Sequence, residues 1–167
     1  MSMFEPGDFQ QPEMWLTYSD LRELTHALLR APDDHDVQTA FASAVAGLGM
    51  HGLVAAVAMA SCATVDLGSI MGCRPATGVA LMSRVRPWRD KLGVATQAML
   101  SAWLANNHRQ AMLWADQQIE KGQAEQLAHA LGERLVFAVE STALLGSLSS
   151  DEYVESFVTR FFNHATA

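Results

Sequence analysis

Two carboxylates stand in stretches that carry no other charge. Asp66 interrupts GLVAAVAMASCATVDLGSIMGC (residues 52–73), and Glu140 sits in FAVESTALL (residues 137–145). A carboxylate among apolar residues is costly to bury unless it is paired. Brought together with cations in a bundle interior, such groups acquire raised proton affinities, suited to proton transfer or to holding a ligand. Arg74, Arg84 and Arg86 are the expected partners of Asp66 and Glu140. The plainer alternative is a structural ion pair, or side chains that simply reach the surface.

The same arginines form the one basic concentration in the chain, GCRPATG (72–78) followed by SRVRPWRDK (83–91). Helix N-termini near Pro75 and Pro87, together with arginine side chains, suit a phosphate or a carboxylate. Trp88 could stack on such a ligand or on an arginine. The ligand-binding candidates are therefore Asp66, Glu140, Arg74, Arg84, Arg86 and Trp88.

Metal chemistry has weaker support. Glu125, His129 and Glu133 in EQLAHALGE follow one another at i, i+4 on one helix face, and two of them could hold a divalent ion only with a ligand from elsewhere. Glu23 and His26 in ELTH have the spacing used by di-iron bundles. Those sites need two such pairs and two further carboxylates, and this chain has one pair. With Arg30 they lie opposite a leucine stripe, as a solvated face would. No HExxH, phosphate-loop or nucleophile-elbow motif is present. The sequence names no metal and no cofactor, and without a complete catalytic constellation the reading leans away from an enzyme.

The elements that must position these residues all read as helices. Leu21, Leu24 and Leu28 mark a first helix that Pro32 stops, after an extended N-terminal arm over residues 1–17. Asp33 or Asp34 caps the second, whose stripe is Val37, Phe41, Val45 and Leu48. A small-residue helix follows Gly52, a short helix lies between Pro75 and Pro87, and another runs from Pro87 to Asn106–Asn107. The next ends at Gly122 as a C-cap glycine. Leu127, Leu131, Leu135, Ala138, Thr142 and Leu145 form the stripe of a long helix that is apolar nearly all round from Leu135 onward, hence central and buried, and that Gly146 ends. Ser149 and Glu152 have capping-box spacing before a last helix, with Tyr153, Phe157 and Phe161 at i, i+4, i+8 and Val154, Val158 and Phe162 beside them. The expected fold is all-α: a single compact helical bundle of seven or eight helices over residues 18–167.

The 167 residues are enough for one domain with a real core, and with 50% hydrophobic and 17% charged residues the chain is not disordered. A net charge of -7 removes weight from nucleic-acid binding, which calls for a basic footprint. Cys62 and Cys73 have no CxxC spacing, and the opening MSMFEPGDFQQPEMW lacks the basic and apolar regions of a signal peptide. Both point to a reduced compartment, the cytoplasm. Residues 37–65 contain no charged side chain and are long enough to span a bilayer. Glycines and His51 break that run, its small residues gain little in hydrocarbon, and Asp66 would need protection. A core helix is the better reading.

AGLGMHGLVAAVAMA loosely resembles the N-terminal helical region of acyl-CoA dehydrogenases, and AHALGERLVFAVESTALL their C-terminal bundle. The flavin-holding β-domain of that family has no counterpart here, so the resemblance assigns no residue a role. The expected function is a non-catalytic regulatory, adaptor or assembly module that contacts a protein partner or itself as a homodimer, through the aromatic last helix or the Trp103–Trp114 region. A small-molecule-binding or enzymatic bundle with an interior acidic and arginine site is the alternative.

Overall fold

The computed structural model describes residues 12–74 and 91–166, with side chains over 20–74 and 94–163. Among these residues there are seven helices and no strand: α1 (Pro12–Arg30), α2 (His35–Gly47), α3 (Met50–Met71), α4 (Lys91–Leu104), α5 (His108–Glu120), α6 (Ala124–Leu145) and α7 (Ser150–Thr166). They form the single helical bundle that the periodicity predicts. The helix expected between Pro75 and Pro87 lies outside the described residues. The extended arm is corrected over residues 12–17, which are the first turns of α1. Proline suits that first helical position, because its missing N–H would have no helical partner there anyway.

At the centre of the bundle is α3. It packs against α2, α4, α5, α6 and α7, and most extensively against α6. Ala55, Ala56, Ala58, Ala60 and Ala63 are all buried, and their short side chains let neighbouring backbones come close. Gly52 is the tightest of these approaches, since a Cβ there would overlap the Val45 carbonyl oxygen of α2. Among the described residues, α3 is the one helix long and apolar enough to cross a membrane, and 67% of its most apolar stretch is buried by the other helices. Three buried threonines are satisfied locally. Thr25, Thr64 and Thr142 each donate to the carbonyl four residues earlier, at 2.7 Å.

Asp34, rather than Asp33, caps α2, accepting from the amides of Asp36 and Val37. Four helices end in the same way. Cys73, Asn107, Gln123 and Leu148 each donate an amide to the carbonyl five residues back. The residue before each donor has positive φ: Gly72, Asn106, Gly122 and Ser147. Gly146 caps the end of α6 as expected, but the left-handed residue is the next one. Gly146 keeps φ -85, and Ser147 adopts the left-handed conformation instead. A different constraint acts on Gly146. A Cβ there would lie 3.0 Å from the Thr142 carbonyl oxygen and 3.1 Å from Ile70 Cδ1.

The aromatic stripe of α7 faces inward. Tyr153, Val154, Phe157, Val158, Phe161 and Phe162 are all buried, in contact with α1, α3 and α6. Trp103 is buried as well, stacked on His108 with ring centroids 3.9 Å apart. The aromatic face of α7 is thus turned to the bundle, whereas the Trp103–Trp114 region keeps Met112 and Leu113 exposed and Trp114 half-buried. The reverse correction applies to the end of α6, where Leu144 is 80% and Leu145 56% exposed although the apolar run predicts burial.

Candidate functional site

Asp66, half-buried on α3, is held from across the bundle by α7. Tyr153 donates its hydroxyl to Asp66 Oδ2 at 2.6 Å, and Arg160 Nη2 donates to the same oxygen at 2.8 Å. Tyr153 and Arg160 are seven residues apart, two helical turns, so one edge of α7 presents both. Burial, followed by the hydrogen bond to Asp66, pushes the Tyr153 hydroxyl well above its ordinary range. The same carboxylate raises the pKa of Arg160, chiefly through their hydrogen bond. Cys62 lies one turn before Asp66, and burial together with the Asp66 charge pushes its thiol up to about 11. At neutral pH the thiol and the phenol both keep their protons. The arrangement locks charge in place between α3 and α7 and offers no activated nucleophile.

Among the described residues the cation on Asp66 is Arg160, which the sequence did not single out. Arg74 is exposed just past the end of α3, while Arg84, Arg86 and Trp88 lie outside the described residues. Glu140 is exposed on α6 and lines a cleft of about 180 Å³ between α6 and the α1–α2 connection, with Asp33, His129 and Glu133 also at its walls. Asp66 is not among the residues of that cleft, so the two carboxylates read as a pair do not share it.

The weak metal candidates also part company. His129 Nδ1 lies 3.2 Å from Glu133 Oε1, whereas Glu125 accepts from Ser43 at 3.5 Å. Among the described residues no group of three His, Cys, Asp or Glu side chains could hold a metal ion. His26, read as solvated, is 2.6 Å from Glu155 Oε1 on α7, and Arg30 reaches the same oxygen at 3.3 Å. The hydrogen bond from His26 lowers the Glu155 pKa below its ordinary value of 4.5.

Three residues escaped the sequence reading. Arg134 is 1% exposed and is among the largest fully buried side chains in the bundle. Its register gave the signal, because it falls seven residues after Leu127 and three after Leu131, on the buried stripe. Arg160 and the Tyr153 hydroxyl had no comparable signal, since their partner is on another helix 87 or more residues away.

The remaining unusual surface is apolar. Ile70 and Met71 at the end of α3, and Leu144, Leu145 and Leu148 at and after the end of α6, are all exposed. Gly146 joins the two ends, with Ile70 on one side of its would-be Cβ at 3.1 Å and Leu148 on the other at 3.3 Å. Residues 67–73 and 141–150 contain no charged side chain. Compared with known proteins, the chain matches no family description, no curated protein and no solved structure.

Proposed function

We propose that this chain is a helical module that acts through protein–protein contacts at the end where α3 and α6 finish. The observation that carries this reading is the exposure of Ile70, Met71, Leu144, Leu145 and Leu148 about Gly146, five of the nine exposed large apolar residues among those described, with Val65, Val94, Met112 and Leu113 the others. Contiguous apolar surface on a folded domain is characteristic of a contact site, because leaving it in water forgoes about 25 cal/mol per Å². The tie between Asp66, Tyr153 and Arg160 fits a scaffolding role, as it fixes α7 against α3. A catalytic or small-molecule site built on Asp66, Glu140 and the arginines has less support, because Asp66 is engaged by α7 and Glu140 lines a separate cleft.

A photo-crosslinking side chain in place of Leu144, in the cells that make the protein, tests the reading. A discrete protein adduct is expected at this position, reduced by Ile70→Glu, and none with the probe in place of the exposed Lys121. Equal or absent labelling at the two positions would overturn it.

A further inference from the structure

We infer that the partner at this end is a basic amphipathic segment, whose apolar side chains cover the leucines while a lysine or arginine enters the cleft beside Glu140. The inference rests on the contact-module reading and adds the chemistry of the partner. Its basis is that the acidic cleft and the apolar end lie along one face of α6. His129, Glu133, Val136 and Glu140 line the cleft and follow one another at steps of three or four residues. The next step in that row is Leu144, one turn beyond Glu140. The carboxylate and the leucine are thus neighbours on the helix, and both are exposed.

Leu28, Phe41 and Val136 give the cleft apolar lining, and Asp33, Glu133 and Glu140 give it three carboxylates. A lysine or arginine has the matching construction, an aliphatic stem that carries a cation. His129, the basic group among the lining residues, is engaged with Glu133 at 3.2 Å. Among the described residues no three His, Cys, Asp or Glu side chains are placed to hold a metal, so a cation on an aliphatic stem suits the cleft better than a bare ion.

Beyond Leu144 the surface is apolar until Asp151 and Glu152, both exposed at the start of α7. Carboxylates therefore stand at both sequence ends of the uncharged run. Arg74, exposed just past the end of α3, is the opposing charge, while Arg160 is neutralised by Asp66 at 2.8 Å. An acidic partner would bring like charge to these carboxylates, as would a second copy of a chain whose net charge is -7. A partner apolar on one side and basic beside it satisfies the leucines and the cleft together.

Fluorescence anisotropy of the full chain with a labelled lysine–leucine peptide of about 18 residues, its leucines at helical spacing, measures this directly. Saturable binding is expected, and none with glutamate in place of every lysine. Leu144→Asn changes no charge and alters a side chain already in solvent, and it should weaken binding by roughly tenfold. Glu140→Gln should weaken it by roughly threefold. Glu120→Gln makes the same change of charge near the start of α6, roughly 30 Å along that helix from Leu144, and should leave binding as it was. Arg74→Gln should tighten it, because a like charge is removed. Circular dichroism should be the same for all four variants.

Absent binding of the lysine–leucine peptide overturns the inference, and so does equal binding by Leu144→Asn and the wild type. An equal loss in Glu140→Gln and Glu120→Gln does the same, since it marks general attraction to an acidic protein. The photo-crosslinking side chain at position 144 separates this failure from that of the underlying reading. A captured partner segment with lysine or arginine beside apolar residues supports both. An adduct between two copies, or with a segment that has no lysine or arginine, ends the inference and leaves the contact module standing. An adduct internal to one chain ends both, as does labelling that is absent or equal at positions 144 and 121.

Discussion

Asp66 presents a single oxygen to a phenol and a guanidinium, and its influence extends one turn back along α3 to Cys62. Burial contributes most to the raised thiol pKa, the Asp66 charge contributes next, and Arg160 opposes both. Asp66→Asn therefore removes a raising influence and leaves the lowering one. In a Cys73→Ser background, the pH midpoint for alkylation of Cys62 should fall below about 11 and stay above the ordinary 9.0, because burial remains. An unmoved midpoint would show that the carboxylate does not act on the thiol. Glu155 gives a prediction of opposite sense in pH. Its pKa is depressed in the folded chain relative to 4.5, so its bonds to His26 and Arg30 stabilise the fold above that value. The stability advantage of the wild type over Glu155→Gln should be present just above that value. It should shrink as pH falls below 4.5, and vanish once the folded-state carboxyl takes up its proton. Denaturant titrations at several pH values measure it. An advantage that grew on acidification would contradict the assignment.

At the scale of the helix, the two residues that close α6 answer to separate constraints. Ser147 adopts φ 53, in the left-handed region that costs a side chain about 1 kcal/mol or more, while Gly146 is kept free of a Cβ by Ile70 and Thr142. Ser147→Gly should therefore stabilise the chain by about 0.5–1 kcal/mol. Gly52→Ala should cost at least about 3 kcal/mol, since its Cβ would meet the backbone of α2 and neither helix can move without opening the core. Thermal or urea unfolding measures both, and equal effects of the two substitutions would refute the distinction. Much of the helical architecture was legible in the residues themselves. The Leu21–Leu28 stripe, the Asp34 cap and the aromatic face of α7 follow from periodicity and local hydrogen bonding, which sequence carries directly. The role of Gly146 was not legible, because it depends on a side chain 76 residues away. The same holds for Arg160, an exposed cation whose contact with Asp66 depends on how α7 lies across α3. Reading outward from Asp66 reaches the arginines nearest in sequence, whereas Arg160 is brought to it only by the packing of α7.

For the molecule as a whole, what governs behaviour in solution is the contrast between an acidic body and one apolar end. Lowering the pH from neutral toward the pI near 5.2 removes net charge and with it the long-range repulsion between copies. Self-association should therefore increase over that interval, read as a rise in light scattering at fixed concentration. Scattering that fell on approaching pH 5.2 would show that net charge does not keep the copies apart. This end was the part of the surface least legible beforehand. Leu144 and Leu145 belong to a run apolar enough to be core, and only the limited reach of the neighbouring helices leaves them in water.

That end also has an electrical character that its side chains do not reveal. Ile70 lies against Gly146, so α3 and α6 bring their C-termini to the same place. Each helix carries a partial negative charge of roughly half an electron at that terminus. Between Glu140 and Asp151, where residues 141–150 carry no acidic side chain, the backbone itself thus contributes a weakly negative potential. Arg74 stands just past the end of α3, within this field. A molecule approaching the end meets the field first and the leucines second, and a basic rim on that molecule would be drawn in and oriented before any apolar atom is in contact.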